Sequence, residues 1–183
     1  IDPQALVATR DNARRNGVAP KASPGAPTAA VPPFGSGSFA GFYNYNEVNA
    51  YLDSIAANDP NGIVSSVVTI GTSRQGRAVR AIRIAKESQP DHSRPRVLLT
   101  GLTHAREPEG MQAVIYFMNK LLQGYGVDPN LTYLVNNREI WFVPLMNPDG
   151  YLINEATWLN TGSFGLWRKN ARDNDSNGII NTQ

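Results

Sequence analysis

The strongest constraint on the fold of this chain is an order of patterns running from Arg96 to Gly150. Val97-Leu-Leu-Thr100, inside the run Arg96 to Leu102, is short, continuous and apolar, the pattern of a strand buried inside a parallel sheet. After the polar stretch His104–Glu109, Met111, Val114, Ile115, Met118, Leu121 and Leu122 fall at i, i+3, i+4, i+7, i+10 and i+11. That spacing predicts one apolar helix face packed on a core, ended by Gly124. Leu131 to Val135 predicts a further helical turn. Glu139 to Met146, with Ile140-Trp-Phe-Val143 at its centre, predicts a second buried strand, and Asn147-Pro-Asp-Gly150 breaks it. A strand, a helical crossover of this length and a second strand imply a right-handed parallel unit. The expected class is α/β, a mixed and mostly parallel central sheet flanked by helices.

Upstream, Val48, Tyr51, Leu52, Ile55 and Ala56 recur at helical spacing, and Asn58 to Gly62 stops them. Ile63 to Ile70, interrupted by Gly71, and Ala78 to Ala85 predict two strands joined as a hairpin through Ser73-Arg-Gln-Gly76, although Arg80 and Arg83 break the alternation. Residues 1–38 hold six of the 13 prolines, with Ala, Gly and Ser between them. Such a segment behaves as a linker or a propeptide remnant, with globular patterning from Phe39 onward. The chain starts at Ile1 without a leader-like apolar stretch, which fits either a processed N-terminus or an arbitrary boundary.

Composition removes several classes of function. Hydrophobic residues at 41% and charged residues at 17% allow a real core, and no apolar run approaches the ~20 residues of a membrane helix. The absence of cysteine excludes disulfides, thiolate metal sites and a cysteine nucleophile. The 13 Arg and 4 Lys are scattered and form no basic block among aromatics, so nucleic acid is not an expected partner.

Gly101-Leu-Thr-His-Ala-Arg-Glu-Pro-Glu-Gly110 directly follows a predicted strand, at the carboxyl edge where open α/β sheets place ligands. His104 and Glu107, three apart on a helical turn, present an imidazole and a carboxylate to the same side, a pair suited to one zinc ion. The same spacing also suits a strand-end histidine beside a helix whose positive N-terminus favours Glu107 and Glu109. Neither the H-E-x-x-H nor the H-x-x-E-H pattern is present, since Pro108 follows the glutamate.

Thr103-His-Ala-Arg-Glu107, Asn136-Asn-Arg-Glu-Ile-Trp-Phe-Val-Pro-Leu-Met-Asn-Pro-Asp-Gly150 and Leu166-Trp-Arg-Lys-Asn170, preceded by Gly71-Thr-Ser-Arg-Gln-Gly-Arg77, together resemble the zinc carboxypeptidase family. The resemblance runs from about Tyr43 to Asn170 in the expected order. It implies that residues 39–183 form the N-terminal part of a secreted metallocarboxypeptidase domain acting on peptides with a free C-terminus. It implies further that His104 and Glu107 are two of three zinc ligands and that Arg106 lies on the substrate-binding side. Arg168 would face the scissile carbonyl, where a fixed guanidinium beside zinc stabilises the developing oxyanion; outside the family context Arg168 would be a surface ion pair. The family pattern has an arginine where this chain has Gly165.

The family's carboxylate-gripping Asn-Arg segment, third ligand (a histidine), mobile tyrosine and catalytic glutamate would all follow Gln183. The expected partner is therefore a C-terminal fragment of the same precursor, docked in one fold. His92, in a polar stretch, is expected to be an exposed loop residue rather than a ligand. Asp173-Asn-Asp-Ser-Asn-Gly-Ile-Ile180 matches the opening of a calcium loop, with Asp173, Asp175 and Asn177 as oxygen ligands for Ca2+; a polar turn open to proteases is the plainer reading. Two further readings stand beside the peptidase: a non-catalytic peptide- or metal-binding fragment, and a calcium-dependent adhesion module resting on the tail alone.

Overall fold

A computed structural model describes residues 36–87 and 93–169. Most of the proline-rich segment, His92 and the Asp173, Asp175 and Asn177 loop lie outside these residues. The first helix, α1 (Tyr45–Ala57), starts at a reciprocal cap: Glu47 N–H donates to Asn44 Oδ1 at 2.8 Å, and Asn44 N–H donates to Glu47 Oε2 at 2.7 Å. Its Val48, Tyr51, Leu52 and Ile55 are buried, as the periodicity predicts.

The hairpin consists of β1 (Val68–Thr72) and β2 (Ala78–Ile84), paired antiparallel. The first strand starts later than expected. Ile63 and Val64 are buried ahead of it, and Gly71 lies inside it at a register shift rather than at its end. The two arginines that disturb the alternation of β2 both have carboxylate partners. Arg80 pairs with Asp53 of α1, and Arg83, only 1% exposed, lies 3.5 Å from the fully buried Glu139.

Next come β3 (Arg96–Thr100), α2 (Pro108–Gly124), α3 (Pro129–Asn137) and β4 (Glu139–Val143). The sheet order is β1-β2-β4-β3, with β3 parallel and β2 antiparallel to β4. This mixed sheet with flanking helices is the expected α/β class, but it is not mostly parallel: among the described residues two of its three strand pairs are antiparallel, because the β1–β2 hairpin joins β4 in the antiparallel sense. Ile82, Ile84, Ile140 and Phe142 project from the central strands into a core completed by Met111, Met118 and Leu121 of α2 and Leu52 of α1. Phe117 of α2 reaches Phe142 with 6.1 Å between ring centroids.

One further sequence expectation needs correction and another needs extension. The β3 strand is not buried on both faces: Val97 is 40% and Leu98 63% exposed. The reason is position, because among the described residues β3 is an outer strand with β4 as its neighbour. The Asn147-Pro-Asp-Gly150 segment, besides ending a strand, starts a helix, α4 (Pro148–Thr161). Asn147 Oδ1 accepts from Gly150 N–H at 3.1 Å, Pro148 takes the first turn, and Gly162 closes the helix with φ of 69°. Among the described residues no helix is long and apolar enough to cross a membrane.

Candidate metal centre

The segment between β3 and α2 leaves the sheet through two tight positions. Gly101 N–H donates to Val143 O at 2.9 Å and Gly101 O accepts from Met146 N–H at 3.1 Å. A Cβ at position 101 would stand 2.7 Å from both the Met111 Cα and the Pro144 carbonyl oxygen, so only glycine fits. Leu102 then takes a left-handed conformation, φ 52°, with its side chain 2% exposed. Burial of that leucine stabilises by about 1.5–3 kcal/mol, which offsets the roughly 1–2 kcal/mol cost of the backbone state.

From there the chain turns once. Glu107 N–H donates to His104 O at 3.1 Å, and α2 begins at Pro108. This turn brings the predicted pair together: His104 Nδ1 lies 3.0 Å from Glu107 Oε2, with side chains 32% and 54% exposed. Two ligands held at ~2.0–2.1 Å by a tetrahedral zinc are about 3.3 Å apart. The donor types and their spacing therefore fit such an ion after an opening of a few tenths of an ångström. Among the described residues no group of three or more His, Cys, Asp or Glu side chains is placed to hold a metal, and His104 with Glu107 is the candidate pair those residues offer. Arg106 is exposed on the same turn.

The Arg168 segment lies alongside. Ala105, fully buried between the two candidate ligands, donates its N–H to Arg168 O at 2.9 Å. Asn147 Nδ2 donates to the same oxygen at 3.4 Å. The Arg168 side chain is exposed, while its backbone is joined to the ligand turn.

Two residues around this centre carry no local sequence signal. Asp149, in the first turn of α4, accepts from Ser73 Oγ at 2.7 Å, Gln75 N–H at 3.0 Å and Arg77 Nη1 at 2.7 Å. It thereby ties the β1–β2 turn to α4. Asn154 of α4 is fully buried and bonds to both Ala105 and Trp167. A turn-rich Asn-Pro-Asp-Gly motif hides the first, and the second acts across segments distant in sequence.

Residues 48–182 match the zinc carboxypeptidase family model. The zinc carboxypeptidase of Saccharothrix mutabilis subsp. capreolus is 33% identical over 150 residues, 82% of this chain and 33% of the relative. An inactive metallocarboxypeptidase of Uncinocarpus reesii is 37% identical over 114 residues, covering 60% of this chain and 18% of that protein. Among solved structures, carboxypeptidase A from Helicoverpa armigera superposes with a TM-score of 0.58 at 34% identity, over 72% of this chain and 29% of the neighbour. The chain belongs to the zinc carboxypeptidase family. It spans about a third of the length of the first of these relatives.

Proposed function

We propose that this chain forms part of a zinc-dependent enzyme that hydrolyses the C-terminal peptide bond of extracellular peptides and proteins. One observation carries the reading: an imidazole and a carboxylate meet at 3.0 Å on the turn after β3, and Ala105, next to the imidazole in sequence, is bonded to the Arg168 backbone. His104 and Glu107 would hold the zinc. When bound, zinc polarises the scissile carbonyl and lowers the pKa of its water to ~7.

The chain's own residues do the rest of what can be assigned here. Arg168 places a guanidinium beside the carbonyl oxygen as negative charge develops on it, and Arg106 binds the peptide on the same edge. The third ligand, the general base and the grip on the terminal carboxylate come from a C-terminal segment of the same precursor. The exposed Val97 and Leu98 of β3 support a further strand docking there, because an apolar outer strand left bare invites pairing.

The test uses protein purified together with the polypeptide that completes its domain. The expected result is about one bound zinc per complex, release of the last residue from a peptide with a free C-terminus, and none from the same peptide amidated. Glu107→Ala should lose the zinc; unchanged zinc content in that variant overturns the ligand assignment. Zinc bound without release of any residue selects instead a non-catalytic peptide- or metal-binding role, the reading that the inactive Uncinocarpus relative keeps in view.

A further inference from the structure

Asn154 is an unexpected residue for the buried middle of a helix. Asparagine is a mediocre helix former whose side chain competes for backbone hydrogen bonds. Burying its amide costs stability unless donors and acceptor are all partnered. Here they are: Nδ2 donates to Ala105 O at 2.8 Å and to Trp167 O at 2.9 Å, while Oδ1 accepts from Trp167 N–H at 2.9 Å.

The amide thus grips both polar groups of the Trp167 backbone and uses its remaining hydrogen on Ala105, inside the His104–Glu107 turn. Gly165 makes this approach possible. A Cβ at that position would lie 2.3 Å from Asn154 Oδ1 and 2.6 Å from Asn154 Cα. Gly165 and the asparagine beneath it are therefore a matched pair. Together they press the segment ahead of Arg168 against α4.

The geometry points to Asn154 as a positioning residue that sets Arg168 relative to the His104–Glu107 turn. This inference rests on the peptidase reading above, since it needs Arg168 to act on the carbonyl. Displacement of a charge-stabilising group by about 1 Å can cost on the order of a hundredfold in rate. Asn154→Ala is accordingly expected to lower kcat by about tenfold to a hundredfold while KM and zinc content stay near the parent values.

The deciding measurement is a double-mutant cycle in the complete enzyme, with hydrogen exchange at the Trp167 amide as a readout independent of activity. If Asn154 works through Arg168, Asn154→Ala adds little to the loss already caused by Arg168→Ala, and Trp167 protection falls about tenfold or more. An equal loss of kcat in both backgrounds, or unchanged Trp167 protection, overturns the inference. Should Asn154→Ala fail to fold, Asn154→Asp serves: it keeps the acceptor for Trp167 N–H, loses both donors, and is held to the same cycle. If the parent enzyme releases no C-terminal residue, the functional reading fails and the positioning role falls with it; the exchange data then assign Asn154 to the fold alone.

Discussion

Arg77 Nη1 lies 2.7 Å from Asp149 Oδ1, joining the β1–β2 turn to the first turn of α4 across 72 positions of sequence. Burial alone would push the Asp149 carboxyl up. Hydrogen bonds from Ser73, Arg77 and Gln75, with the charge of Arg77, outweigh that and hold it below its ordinary value. A carboxyl lowered in the folded state contributes stability above its unfolded value of ~3.9 and loses it as pH falls through the folded value. Unfolding free energy should therefore drop with an acid limb below about pH 4. Asp149→Asn should flatten that limb and cost about 1–3 kcal/mol at neutral pH, measured by urea titration across pH.

The pair Arg83 and Glu139, 1% and 0% exposed, is the most deeply buried ion pair among the described residues, and Arg96 Nε adds a bond to Glu139 Oε2 at 3.0 Å. Removing one partner leaves charge without compensation in the interior. Glu139→Ala should destabilise by about 3–5 kcal/mol, whereas Asp53→Ala, at the exposed carboxylate facing Arg80, should cost about 1 kcal/mol or less. A cost for Glu139→Ala no larger than for Asp53→Ala would show that the buried pair contributes little.

Two glycine substitutions separate close packing from open space. Gly101→Ala places a methyl 2.7 Å from two backbone atoms, where no side chain can move aside. It should destabilise by about 1–3 kcal/mol and, if the proposed ligand pair holds zinc, reduce zinc retention, since the turn carrying His104 and Glu107 leaves the sheet there. Gly71→Ala meets nothing within 4 Å and should change stability by about 0.5 kcal/mol or less. Equal melting temperatures for the two variants would contradict the packing around Gly101.

At the outer strand, Leu98→Lys replaces a side chain that is 63% exposed. It should leave the fold of these residues intact while weakening recovery of the proposed C-terminal partner segment, assayed by co-purification. Undiminished recovery would place the docking of that segment elsewhere than β3.

The legible parts of this chain were those with a period. Val48 to Ile55 and Met111 to Leu122 announce α1 and α2 because one face of each meets the core every three to four residues. The helix α4 has no such stripe. Its buried positions include Asp149, Gly150 and Asn154, residues that are inside because of hydrogen bonding and close approach rather than apolarity. The apolar run of β3 misleads in the opposite sense: it carries the composition of a central strand, yet its exposure depends on neighbours that the run itself does not encode. His104 and Glu107 could be picked out because a spacing of three is local. Asn154 could not, since its partners at Ala105 and Trp167 are 49 and 13 residues away.

Leu102 gives the loop its direction. With its side chain anchored in the interior and its backbone turned left-handed, it works like a hinge pin, and the imidazole two residues later inherits the heading. The aim of His104 thus follows from an oily side chain sunk in the core. Trimming that leucine would leave strand and helix in register while freeing the intervening turn to swing.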